Sequence, residues 1–187
     1  MILARKTVIS KWSRAKDECE NINNENIQWN IEKINADVIT SELRTTSNAL
    51  STWAISENIE DVESNIKEVV LALLTGKKVS SIETIDLILI DTKTASKFKF
   101  DDTEEGDTSI DSLKNRHYNI CDLNYKQLGE LSKYFMGQIK NEKFIKITKS
   151  KVQKILKEAF KEKIVKIDDF SEALQEKVKK IVGDNRE

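Results

Sequence analysis

The chain has 187 residues, 31 Lys plus Arg against 32 Asp plus Glu, no proline and five glycines, which is enough to bury a proper core and leaves little material for flexible linkers. Cys19 and Cys121 are too few for a disulfide framework, no apolar stretch approaches bilayer length, and the start MILARKTVISKW lacks the apolar centre of a signal peptide. A cytoplasmic protein with no membrane contact and both cysteines as thiols is expected.

Residues 5–13 suggest a first strand through Val8, Ile9 and Trp12. After a polar stretch rich in asparagine, Ile27, Trp29 and Ile31 alternate as a second strand should. A short helix then follows, capped by Asn35, with Val38, Ile39 and Leu43 inward.

The strongest signal is residues 57–91. Ile59, Val62, Ile66, Val69, Val70, Leu73 and Leu74 share one helical face. Ser56 is placed to cap that helix, and Gly76 to take a left-handed stop. The run 85–90 holds four consecutive apolar residues, which fits a strand covered on both faces, with Leu89 expected at the core. If 50–55 is also a strand, the order makes a βαβ-like unit with parallel strands.

From Thr92 to Asn115 the chain turns polar, with a short edge strand expected at Phe98 and Phe100 and an exposed acidic loop over 101–111. An EF-hand alignment of that loop puts Ser112 where a bidentate glutamate belongs, so a solvated loop is the better reading. Residues 124–140 form a helix with Tyr125, Leu128, Leu131, Phe135 and Ile139 on one stripe, and Gly129 and Gly137 suited to close packing. An extended piece at 143–148 leads to a helix near 149–162 that buries Val152, Ile155, Leu156, Ala159 and Phe160. Asp168 or Asp169 should cap a last helix carrying Phe170, Leu174 and Val178.

The fold class expected is therefore α+β: a mixed sheet with a central βαβ-like unit, residues 1–120 as the body, and a helical portion, 121–187, packed on it as one unit. Charge divides along similar lines, because residues 133–187 hold 15 basic and 9 acidic residues (+6) against −7 for residues 1–132.

Chemistry-bearing patterns are sparse. Glycine signatures for nucleotide phosphates are missing, and Gly76, Lys77 and Lys78 end a helix where a phosphate loop begins one. Asp91-Thr92-Lys93 at a strand end resembles the carboxylate and lysine of PD-(D/E)xK nucleases, where the acid would hold Mg²⁺. That chemistry needs an upstream acid on a neighbouring strand, and Glu83 and Asp86 belong to the same strand or its approach, so a strand-end turn is preferred. His117 is the only histidine and Cys121 has no CxxC partner, which favours a hydrogen-bonded histidine over a zinc site or Cys/His pair.

The remaining candidate is the lysine face of the helix near 149–162: Lys149, Lys151, Lys154, Lys157 and Lys161. No cofactor, metal or catalytic residue is assigned. The expected function is a non-catalytic interaction protein, a subunit or regulator in a larger assembly, with a protein partner. DNA or RNA binding through the lysine-rich helices stands second, and a metal-dependent nuclease third.

Overall fold

A computed structural model describes residues 1–13, 36–55, 62–103 and 106–183. In chain order the elements are β1 (Ile2–Thr7), α1 (Ile9–Ser13), α2 (Ala36–Glu42), β2 (Leu50–Ile55), α3 (Val62–Leu74), β3 (Ile85–Asp91), β4 (Lys99–Asp102), α4 (Asp111–Lys114), β5 (His117–Cys121), α5 (Tyr125–Lys140), β6 (Phe144–Ile147), α6 (Lys149–Lys161) and α7 (Glu172–Gly183). A 3-10 turn at Ile167–Asp169 precedes α7. Among the described residues no helix is long and apolar enough to cross a membrane.

The class is α+β, built on one six-stranded sheet in the order β4-β5-β2-β1-β3-β6. Every neighbouring pair is antiparallel, so the sheet is not the mixed one expected. The reason is β1. It lies between β2 and β3, paired antiparallel to both through Ile2↔Ile55 and Ile2↔Asp91. β2 and β3 still run in the same direction, joined across α3, but a third strand fills the gap between them. β1 also begins earlier than the pattern over 5–13 implied: residues from Ile9 onward are α1, whose Trp12 is buried under the sheet. The strand expected at Ile27, Trp29 and Ile31 lies outside the described residues, as do Asn35 and Ser56.

Strand alternation gives the sheet two apolar faces, and each is covered. On one, Ala4, Trp53, Ile55, Ile85, Leu87 and Ile147 meet α3, α6 and α7. On the other, Leu3, Leu50, Ile88, Ile90 and Ile120 meet Trp12, Val38 and the α5 residues Leu131, Phe135 and Met136. The run in β3 is thus buried from both sides, as four successive apolar residues require. Leu89 is the exception: it packs against the α3, α6 and α7 side but stays half-buried, while Leu87, Ile88 and Ile90 are fully enclosed.

A polar node fastens α1 and α2 to the sheet. Glu42, only 7% exposed, accepts hydrogen bonds from Thr7 Oγ1 (3.0 Å), the Val8 amide (2.9 Å) and Lys11 Nζ (2.6 Å), while Trp12 Nε1 donates to Thr7 Oγ1 (2.9 Å). Burial works to raise the Glu42 pKa, but these donors and the Lys11 charge outweigh it and hold the carboxyl below its usual range.

Several local expectations change for physical reasons. Gly76 has no left-handed φ, and α3 instead ends at Thr75, whose hydroxyl bonds back to the Leu71 carbonyl (2.9 Å). What glycine supplies at 76 is room, since a Cβ there would lie 3.1 Å from the Asp107 carbonyl oxygen. α5 begins with a capping box between Asn124 and Gln127, and Tyr125 points to solvent. Gly129 and Gly137 serve no close approach, because a Cβ at either meets nothing within 4 Å. Asp169 closes the 3-10 turn by accepting from the Lys166 amide (2.8 Å), and the Ser171 carbonyl opens α7.

Leu87→Ala should cost about 2–5 kcal/mol in urea denaturation, through lost transfer energy and a cavity, whereas Lys77→Ala on the surface should stay within about 0.5 kcal/mol of the parent. Equal losses would contradict the burial of β3.

Gly137→Ala should stabilise the protein by about 0.5–1 kcal/mol, since it removes helix-interior backbone entropy and meets no neighbour. Thermal unfolding should move upward by roughly 2–4 °C.

Candidate interaction surface

Helix α6 has two unlike sides. Thr148 caps it, its side chain accepting from the Lys151 amide (3.3 Å), and Val152, Ile155, Leu156 and Ala159 enter the core shared with α3 and α7. The rest of the helix surface carries the lysines. Lys149, Lys151, Lys154 and Lys161 are exposed, and Lys157 is half-buried. Lys154, Lys157 and Lys161 lie opposite the buried side, whereas Lys149 and Lys151 fall on its two flanks at the start of the helix.

Their placement is not what helix stability alone favours. The first turn of α6 holds Lys149 and Lys151 and no acid, so cations stand at the positive end of the macrodipole. The stripe is also not purely basic. Glu158 lies 3.9 Å from Lys154, and Glu162 accepts from Lys67 of α3 at 2.6 Å.

A shallow groove runs along each flank. One, about 260 Å³, lies against α3, with Ile66 and Ile155 at its floor and Lys67, Lys151, Lys154 and Glu158 at its rim. The other, about 510 Å³, is lined by Lys157, Glu158, Phe160, Lys161 and Val182. Phe160 is held there by stacking on Phe170, ring centroids 5.9 Å apart.

The other candidates are dispersed. Asp91 ends β3 in a turn: its Oδ1 accepts from the Lys93 amide (2.9 Å) and its carbonyl accepts from Ala95 N and Thr94 Oγ1. One carboxylate oxygen and the carbonyl of Asp91 thus hold the turn that follows the strand. Among the described residues no group of three or more His, Cys, Asp or Glu is placed to hold a metal. Cys121, half-buried at the end of β5, has its thiol pushed up by burial and then by Asp101. Cys19 lies outside the described residues.

His117 opens β5. It is 7% exposed, shares a 2.5 Å hydrogen bond between Nδ1 and Thr103 Oγ1, and sits edge-on to Trp53 at 5.1 Å. Gly106 from the acidic stretch closes over this pair so tightly that a Cβ would lie 2.6 Å from Trp53 Cη2. Part of that stretch is accordingly packed, and only glycine fits at 106. Arg116 beside it is engaged by Glu68 of α3 at 2.7 Å and by Asn65.

Lys140 at the end of α5, Lys143 just before β6 and Lys146 within it are also exposed, but Ile145 and Ile147 face the α6 side of the sheet, so Lys146 points to the other.

No protein-family model matches the chain, no curated protein matches it, and no solved structure matches it.

Burial, and next the charge of Arg5, lower the His117 pKa, with Asp102 and Asp107 opposing. A lowered folded-state pKa means that the unfolded chain takes up the proton first. The histidine's contribution is therefore complete above about pH 6.5 and is lost as pH falls from there through the folded-state value. Urea denaturation at about pH 7.5 and pH 5 should show a smaller acid-side loss in His117→Asn than in the parent, and an unchanged difference would refute this.

Proposed function

We propose that this is a non-catalytic intracellular interaction protein, a subunit or regulator of a larger assembly, and that Lys149, Lys151, Lys154, Lys157 and Lys161 form its contact surface for a protein partner. The observation that carries the reading is the pairing of an exposed lysine face on α6 with apolar-floored grooves on both flanks. An interface needs an apolar centre and a polar rim, and this surface offers both. Glu158 and Glu162 among the lysines favour a partner of mixed charge over a uniform phosphate backbone, which would be repelled at those positions.

K154E/K157E/K161E tests the surface directly. Thermal unfolding should change little, since the substitutions leave the buried side of the helix untouched. Co-purification of native associates should fall at least about tenfold relative to the parent. Retention of every associate by the folded triple variant would remove the stripe from the account. Binding that instead tolerates any DNA or RNA sequence and falls steeply with salt would favour the nucleic-acid reading.

A further inference from the structure

The two edges of the sheet carry opposite charge. β4 ends the sheet on one side with exposed Asp101 and Asp102, its Lys99 already neutralised by Asp122 at 3.1 Å. β6 ends it on the other with exposed Lys143 and Lys146, for which no carboxylate partner is found among the described residues. Both edge strands have four residues.

Backbone geometry matches these edges to one another. Six strands that alternate in direction leave β4 and β6 antiparallel, so a translated copy of the sheet continues the alternation with the same faces on the same sides. The Thr103 amide bonds to the His117 carbonyl, so residues 101 and 103 turn their polar backbone groups towards β5, while Phe100 and Asp102 turn theirs away. By the same argument from the Leu89 amide and the Lys143 carbonyl, Phe144 and Lys146 of β6 turn theirs away from β3.

We propose that copies of this chain associate head to tail, β6 of one pairing antiparallel with β4 of the next. The register that uses all four outward residues sets Phe144 opposite Asp102 and Lys146 opposite Phe100. Lys146 then lies diagonal to Asp102 on one face and Lys143 diagonal to Asp101 on the other, within reach of long side chains. Phe144 is diagonal to Phe100. Pairing like edges would oppose lysines to lysines or aspartates to aspartates, so the charges that blunt each edge against itself select the unlike edge. The contact is heterologous, and it grows as a chain unless the twist closes it into a ring.

Sedimentation velocity over a concentration series at low salt should show species larger than the monomer, dispersed by about 0.5 M NaCl. K143E/K146E and D101K/D102K should each raise the concentration for half-association by about tenfold or more. An equal mixture of the two variants should regain association, since one then presents only acidic edges and the other only basic ones. K146P, which removes an outward N–H without touching the β3 ladder, should also weaken it. Should a reversed variant fail to fold by circular dichroism, K143Q/K146Q and D101N/D102N carry the comparison. A parent that stays monomeric at every concentration, undiminished association of the folded variants, or a mixture that does not recover would overturn the proposal. So would association abolished by nuclease treatment, which would show a polynucleotide bridging the lysines.

Discussion

β1 and β3, side by side at the middle of the sheet, share the longest register among the described residues, from Ile2↔Asp91 to Thr7↔Asp86. Ile2, Leu3 and Ala4 of β1 and Leu87, Ile88 and Ile90 of β3 put apolar side chains on both faces, so neither face can be left to water, and helices must lie on each. α3, α6 and α7 meet this need on one side, with α1, α2 and α5 on the other. The node around Glu42 follows from the same demand, because sealing the lower end of the second layer places a carboxylate where only several donors can keep it charged.

The candidate surface inherits its rigidity from this arrangement. Four α6 residues are locked into the core, so the lysines project from a fixed helix and not from a loop. A rigid display lowers the ordering cost of binding, and the apolar floors beside it supply contacts that charge alone does not. Lys149 and Lys151 sharpen the point. They sit where the helix dipole disfavours them, in a protein whose other exposed positions could have held the same charge more cheaply.

What could be read from residues alone follows the strength of local pattern. The apolar run of β3 and the stripes of α3, α5 and α6 were legible because each is long and periodic. β1 was not, because Arg5 and Lys6 interrupt its alternation: Lys6 faces solvent, Arg5 donates through Nη1 to the Ser51 carbonyl while its buried Nε has no partner, and Thr7 is buried through its bonds to Glu42 and Trp12. Without β1, a parallel pairing of β2 with β3 was the natural inference. The α6 lysines were legible on their helix, whereas the place of Lys143 and Lys146 at a sheet edge is revealed only by the assembled strand order.

That strand order also governs how the chain can reach its native state. The strand that joins the two halves of the sheet is the first in sequence, yet its partners are residues 50–55 and 85–91, so the centre cannot zip up from local hairpins. During synthesis β1 must wait, its apolar residues unsheltered, until the chain through residue 91 has emerged and α3 has folded over to deliver β3 alongside it. Contacts of such long sequence separation slow folding, since loop closure is lost before pairing rewards it. The interval before that closure is when the sheet's central strands are most open to pairing with the wrong chain.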